Sequence, residues 1–214
     1  MLTFSVDLLH LNQLKTPVLS SDTAGFRFME TKSNEKRVAV YIDGSNFYHK
    51  LKDLSIPNTT KFGYEKLCSW LARDRRIISS RYYVGVVRAK ENDEKGQRLR
   101  SSQQQLFSHL TKEGLTIKRG YLMSADGAYH EKGVDVQIAV DMLIGAYENL
   151  YDTAILISSD TDLIPAIKKI KYMGKGIEYI GFAHKPSFGL QKYATLSRLL
   201  IKEELEPFVF NSLV

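Results

Sequence analysis

The chain has 214 residues, of which 43% are hydrophobic, and it carries a formal net charge of +6. A single cysteine, Cys68, excludes an internal disulfide and a thiolate metal cluster, and no apolar run approaches the ~18 residues of a membrane span. We therefore expect a cytoplasmic protein without a membrane segment, whose basic charge favours a polyanionic partner.

The first residues differ from the rest of the chain. Residues 1–28 have a loop-like centre and balanced charges, and they show neither the basic start nor the apolar core of a signal peptide. We predict an N-terminal extension at 1–36, partly disordered, of which residues 1–28 are dispensable. A domain at 37–205 and a C-terminal tail at 206–214 would follow.

From residue 37 onward, predicted strands and helices alternate. Strands are predicted at 37–42, 81–87, 115–121, 151–158 and 177–182, and helices at 47–54, 64–72, 134–150, 163–173 and from 187 onward. A long polar helix with Leu99, Leu106 and Leu110 on one stripe follows the second strand, and a turn is predicted at 124–127. Short apolar runs such as 37–42 are typical of parallel strands buried on both faces. The alternation predicts an α/β fold, a three-layer α/β/α sandwich around a mainly parallel sheet.

Four aspartates lie where a predicted strand ends or a predicted helix begins: Asp43, Asp135, Asp160 and Asp162. Open α/β sheets bind ligands in the crevice at the carboxyl ends of their strands, so an acidic cleft is expected there. Converging carboxylates repel one another unless a hard cation such as Mg²⁺ or Mn²⁺ lies among them. The pattern indicates metal-assisted phosphoryl chemistry.

Each of these acids also has a structural explanation. Asp43 can cap the helix that follows it, Asp162 can cap the helix at 163–173, and a helix dipole favours Asp135 whatever its function. Capping needs only one side chain, however, and Ser159 or Thr161 would serve. The second carboxylate after strand 151–158 is therefore the informative one.

Asp141 lies inside helix 134–150, which is apolar on nearly all sides. A buried acid without a partner is costly. Six helical residues separate it from Asp135, roughly 120° round the axis, so both cannot face one metal ion on a regular helix. We predict a buried, partnered acid, with direct metal binding as the alternative.

Three segments carry a resemblance to a known family: Val40-Tyr-Ile-Asp-Gly-Ser-Asn-Phe-Tyr48, Lys132-Gly-Val-Asp-Val-Gln-Ile-Ala-Val-Asp-Met-Leu143 and Ile155-Leu-Ile-Ser-Ser-Asp-Thr-Asp-Leu-Ile-Pro165. Together they resemble the NYN family of the PIN-like nuclease superfamily, specifically its LabA-type branch, over about residues 37–200. The resemblance implies a PIN-like sheet with acids at the strand ends. It also implies hydrolysis of RNA phosphodiester bonds by a metal-dependent ribonuclease.

The resemblance gives each residue an expected role. The catalytic and metal-binding acids would be Asp43, Asp135, Asp160 and Asp162, supported by Asn46, Asp141 and Ser159. Mg²⁺ or Mn²⁺ would be the cofactor, because the donors are hard oxygens. The histidines show no paired metal spacing. His49 is one helical turn from Asn46 and could line the cleft, although an ordinary surface position is the favoured interpretation.

Basic side chains are expected to hold the substrate, which we predict to be single-stranded RNA. The candidate RNA contacts are Lys132, Arg88, Arg98 and Arg100. No base-reading module is recognisable, so a sequence preference does not follow. A homodimer is left open, and no nucleotide cofactor is expected.

The sequence bears on three rival functions. A dinucleotide-binding domain fails because the loop after the first strand, Asp43-Gly-Ser-Asn46, lacks the three-glycine phosphate cradle. A phosphatase that uses Asp160 and Asp162 leaves Asp43 and Asp135 unexplained. A noncatalytic regulator that binds RNA or protein on the same fold remains the alternative.

Overall fold

The computed structural model describes residues 35–56, 60, 62–87, 93–125 and 128–210, with the backbone alone at 121–125 and 128–131. Nearly all of the predicted extension at 1–36 therefore lies outside the described residues. Within these ranges the elements are, in chain order, β1 (Arg37–Asp43), α1 (Gly44–Asp53), α2 (Tyr64–Ala72), β2 (Arg76–Val86), α3 (Glu94–Lys112), β3 (Thr116–Ala125), β4 (Ala128–Lys132), α4 (Val134–Tyr147), β5 (Thr153–Ile157), α5 (Ile164–Tyr172), β6 (Gly176–Phe182), α6 (Phe188–Tyr193), β7 (Leu196–Leu200) and α7 (Lys202–Leu205).

The seven strands form one sheet in the order β4-β3-β2-β1-β5-β6-β7. Six of them are parallel, and β4 alone runs antiparallel, against β3. β1 lies at the centre, between β2 and β5. The predicted α/β fold with a mainly parallel sheet is confirmed.

Strand β1 is buried on both faces, which explains its continuous apolar sequence. Val38, Val40 and Ile42 pack into a core shared with α1, α2 and α3. Ala39 and Tyr41 point the other way, into a core shared with α4, α5 and α6. Helices therefore cover both faces of the sheet, as the three-layer prediction requires.

The helix predicted from residue 187 onward is interrupted after Tyr193 and resumes only as the short α7 at Lys202–Leu205. Residues Leu196–Leu200 instead form β7, which pairs with β6 from Glu178 opposite Leu196 to Phe182 opposite Leu200. Only Leu200 of this edge strand is fully buried. The strand is defined by its hydrogen bonds to β6, and its sequence lacks the alternation by which a half-buried strand is recognised.

Three smaller differences concern the missed strand β4, the packing of α3 and the predicted tail. β4 was not predicted, because five residues after a turn gave no strand pattern. Leu99 is 42% exposed, since α3 packs through its second half, where Leu110 is fully buried. The predicted tail begins with packed residues: Phe208 belongs to the core, and its carbonyl oxygen accepts a hydrogen bond from the backbone N–H of Gly63 at 2.6 Å.

Helix α4 is fully buried on one side only. Its outer side exposes Val136, Val140, Ile144 and Tyr147, the last at 85%. Despite this apolar surface, no helix in the described parts of the chain is long and apolar enough to cross a lipid bilayer.

Candidate active site

The strand order creates a crevice at the carboxyl ends of β1 and β5. From β1 the chain continues to β2 on one side of the sheet centre, whereas from β5 it continues to β6 on the other side. The helices that follow these two strands, α1 and α5, consequently lie on opposite faces. Such a switch point is where open α/β sheets bind ligands.

A cleft of about 460 Å³ occupies this position. Its lining consists of Asp43, Ser45, Asn46, His49, Lys50, Asp53, Asp135, Asp160 and Lys185. Three of the four predicted acids therefore share one cleft, although they are separated by up to 117 residues in the sequence (160 − 43). His49, predicted to be an ordinary surface residue, also lines this cleft.

Asp43 is held rigidly at the end of β1 and is only 5% exposed. Its Oδ1 accepts a hydrogen bond from the backbone N–H of Asn46 at 3.0 Å, which caps α1. Its Oδ2 accepts one from the hydroxyl of Ser158 at 2.8 Å. Capping and a place in the cleft are thus not alternatives, because one carboxylate does both.

Ser158 connects two of the acids and was missed from the sequence. The residue is 2% exposed, and besides donating to Asp43 it accepts a hydrogen bond from the backbone N–H of Asp160 at 3.1 Å. Ser159, predicted as the supporting residue, has a buried hydroxyl without a hydrogen-bond partner among the described residues. The two neighbouring serines differ in the direction of their side chains, which the sequence alone does not reveal.

Asp160, and not Asp162, caps the turn after β5. Its Oδ1 accepts a hydrogen bond from the backbone N–H of Asp162 at 2.8 Å. Asp162 itself is exposed and is not among the residues lining the cleft.

Asp135 lies in the first turn of α4, directly after a glycine turn. Gly133 has φ +79°, a conformation that L side chains rarely adopt, and it turns the chain from β4 into the helix. The pKa of Asp135 is raised to about 6, first by loss of solvent around the carboxyl group and then by the negative charges of Asp160 and Asp43. A hydrogen bond with Asp160 and the charge of Asp162 raise it further. The acids are therefore close enough to disfavour their joint ionisation.

The donor set determines which cation the cleft could hold. Asp43, Asp135 and Asp160 offer only hard oxygens, which suit Mg²⁺ or Mn²⁺. Their mutual repulsion would be relieved by such a cation. Within the described ranges, no three His, Cys, Asp or Glu side chains are already arranged to bind one ion together. The chemistry of the residues fits a divalent cation, whereas their side-chain positions do not form a complete ligand set.

Asp141 is buried and partnered, as the sequence predicted, and it does not line the cleft. Its carboxylate accepts hydrogen bonds at 2.9 Å from the hydroxyl of Tyr83 and from Nε2 of Gln137. Arg81 and Lys118 each place a nitrogen 3.4 Å from the same group. These four partners account for a buried negative charge without any metal ion.

The cations that line the cleft differ from those predicted. Lys132, Arg98 and Arg100 are exposed and outside its lining, and Arg88 lies outside the described residues. The lining instead includes Lys50 and Lys185. The sequence offered one indication for Lys50: it lies one helical turn after Asn46, so the two side chains share a face of α1.

Comparison with known proteins gives a family and a fold. A family model described as the NYN domain matches residues 37–197. No curated protein sequence matches the chain significantly. Among solved structures, a protein of unknown function from Vibrio parahaemolyticus superposes with a TM-score of 0.62 at 21% identity, over 82% of this chain and 97% of that one. This likeness shows the fold alone.

Two phage T5 structures are more distant. A 5′-exonuclease with bound zinc has a TM-score of 0.41 at 14% identity, over 73% of this chain and 60% of that one. The D15 flap endonuclease in complex with DNA and metal ions has a TM-score of 0.31 at 16% identity, over 58% and 49%. At these scores neither structure supports an inference about this chain.

Proposed function

The chain belongs to the NYN domain family of the PIN-like nuclease superfamily, and on this premise we propose that it is a metal-dependent ribonuclease. The observation that carries the proposal is the convergence of Asp43, Asp135 and Asp160 on one cleft at the switch point of the sheet. A structural role for each acid separately does not explain why three of them share a cleft and raise the pKa of one member.

We propose that Asp43, Asp135 and Asp160 hold the cation, with Asn46 beside them. Asp162 is a weaker candidate because it is outside the cleft lining. When bound, Mg²⁺ or Mn²⁺ would activate water and stabilise the charge that develops on the phosphate oxygens.

The chain's own residues prepare this chemistry. Asp43 is immobilised by hydrogen bonds to both carboxylate oxygens, so its position is fixed before the substrate arrives. Ser158 orients Asp43 through its hydroxyl and fixes the start of the Asp160 turn by accepting a backbone N–H. The pKa of Asp135 is raised to about 6, first by loss of solvent and then by the neighbouring carboxylates, so acid solution opposes cation binding because this carboxyl group must be ionised to act as a ligand.

The finer features of the proposal rest on the sequence motifs. The segments around Asp43, Asp135 and Asp160 favour the LabA-type branch and, with it, RNA as the substrate. A preference for single strands stays a prediction. The cytoplasmic location, the homodimer and the division into an extension, a domain and a tail stay predictions.

The experiment is cleavage of an end-labelled single-stranded RNA by the purified protein in Mn²⁺ and in EDTA. We expect fragments in Mn²⁺ and intact RNA in EDTA. Cleavage in both would indicate a contaminating nuclease or a mechanism without metal. Binding without cleavage in Mn²⁺ would favour the alternative, a noncatalytic regulator on the same fold.

A further inference from the structure

We infer that Lys50, Lys185 and Phe188 form a substrate-holding rim of the cleft, at which the two lysines bind a backbone phosphate and Phe188 stacks on an unpaired base. The ligand is a single-stranded nucleic acid. The inference rests on the proposed function in one respect, that the cleft takes nucleic acid, and it does not require that the protein cleaves it.

The two lysines are tied together at one side of the cleft. Lys50, in the last turn of α1, donates a hydrogen bond from Nζ to the backbone carbonyl oxygen of Lys185 at 3.0 Å. Lys185 in turn donates from Nζ to Asp53 Oδ2 at 2.8 Å. The loop after β6 is thereby fastened to α1, and both lysines belong to the cleft lining.

This side of the cleft carries excess positive charge. Asp53 is the acid beside the lysines, and it also has the His184 ring nitrogen 3.6 Å from its Oδ2. Lys50 donates to a carbonyl group and not to a carboxylate. The pKa of Lys50 is lowered, first by burial and then by the charge of Lys185, while the charge of Asp53 acts in the opposite direction. An anion between the two ammonium groups would offset that repulsion, and a phosphate offers several oxygens for it.

Phe188 is a neighbour of the cleft residue Lys185 along the chain. It is the first residue of α6, three residues after Lys185 in the chain, and 79% of its surface is exposed. A Cβ added to the next residue, Gly189, would lie 3.2 Å from Thr161 Cγ2. Thr161 directly follows the cleft residue Asp160, so the start of α6 is next to the Asp160 turn in space and next to Lys185 in the chain.

The backbone beneath Phe188 is held firmly. The N–H of Ser187 donates to the hydroxyl of Tyr179 at 3.0 Å, and Leu190 is completely buried in the core. An exposed ring on a fixed backbone loses little freedom when it binds, and aromatic rings stack on unpaired bases whatever their sequence. A paired base in a duplex has no free face to offer, so the ring favours single strands.

The test measures binding of a fluorescent single-stranded RNA by anisotropy in EDTA, where metal-dependent cleavage is blocked. Phe188→Ala, Phe188→Trp, Lys50→Gln and Lys185→Gln are compared with the wild type over about 50 to 200 mM salt. The matched controls are Tyr172→Ala, an aromatic residue that is 84% exposed outside the cleft lining, and Lys112→Gln, an exposed lysine at the end of α3.

The two kinds of contact have different signatures. Loss of a phosphate contact lowers the slope of log affinity against log salt by about 0.7 for a single strand, which we expect for each lysine variant. Phe188→Ala should weaken binding by about ten-fold without changing the salt slope. Phe188→Trp, which keeps an aromatic ring, should bind RNA like the wild type. Phe188→Ala should leave binding to a duplex of the same sequence unaltered.

Two results would overturn the inference. One is an unchanged salt slope in both lysine variants. The other is a loss of affinity in Phe188→Ala no greater than in Tyr172→Ala, with thermal melts confirming that the variants are folded. A protein that shows the expected binding signatures but does not cleave RNA in Mn²⁺ would refute the proposed ribonuclease and support this inference.

Discussion

Replacing Asp141 by alanine should destabilise the protein strongly, because the carboxylate is the common partner of four side chains. The variant leaves the hydroxyl of Tyr83 and the amide of Gln137 without their acceptor, at about 1–3 kcal/mol for each buried donor. It also leaves Arg81 and Lys118 without their carboxylate. Breaking a buried ion pair costs about 3–5 kcal/mol, but these two cations remain partly exposed and water can replace part of the loss. Since the terms share the same groups, we expect a total of about 3–5 kcal/mol, or ~10 °C in melting temperature for a domain of this size.

The measurement is urea unfolding of Asp141→Ala and of Asp141→Asn, which keeps the shape and one acceptor oxygen and should lose less stability than alanine. Glu94→Ala is the control: it removes an exposed ion pair with Arg98, whose side chains are 88% and 85% exposed, and should cost less than ~0.5 kcal/mol. Thermal melts check the same variants, and an Asp141→Ala protein whose melting temperature is within about 2 °C of the wild type would refute the reasoning. Loss of Mn²⁺ binding with unchanged melting would instead identify Asp141 as a metal ligand.

Three further substitutions test, in turn, the charge of Asp135, the orienting role of Ser158 and the close packing at Gly145. The raised pKa of Asp135, about 6, means that the contribution of this carboxyl group to stability is lost as pH rises from about 4 to 6. Asp135→Asn should therefore be more stable by ~1 kcal/mol at pH 7 in EDTA, after discounting for solvent screening, and equally stable near pH 4; urea unfolding at both pH values checks this. Ser158→Ala should weaken Mn²⁺ binding by about 10–100-fold in calorimetry and cost only ~1 kcal/mol of stability; unchanged Mn²⁺ affinity would count against its orienting role. Gly145→Ala should destabilise by about 1–3 kcal/mol despite a better helix propensity, because its Cβ would lie 2.7 Å from the ring of Tyr151; a variant as stable as the wild type in thermal melts would contradict this.

Central elements were predictable from the sequence because their signals are local. The apolar runs that form β1 and β5 are recognisable as strands that are buried on both faces. An acid such as Asp43, which directly follows such a run, can therefore be assigned to a strand end without knowledge of the rest of the fold. Asp141 was recognised in the same way, since one acid within an apolar helix demands partners.

The remainder depends on contacts between distant parts of the chain. β7 is a strand because β6 offers it hydrogen bonds, and the sequence of Leu196–Leu200 alone does not show this. Ser158 reaches Asp43 across 115 residues, and Lys50 reaches Lys185 across 135. No short segment contains both members of such a pair. The supporting serine and the lysines of the cleft could therefore be identified only from the three-dimensional structure.

The central claim is that the acids of the cleft act together in metal-dependent RNA cleavage. Single-turnover cleavage of labelled single-stranded RNA in Mn²⁺ tests it most directly, with wild type, Asp160→Asn and Asp152→Asn side by side. Asp152 is the matched control, because it also accepts a hydrogen bond from a backbone N–H, that of Arg37 at 2.8 Å, and lies outside the cleft lining. We predict that Asp160→Asn loses cleavage by more than ~100-fold, since even outer partners of a metal site contribute 10–100-fold, and that Asp152→Asn cleaves like the wild type. Cleavage by Asp160→Asn at the wild-type rate would contradict the account.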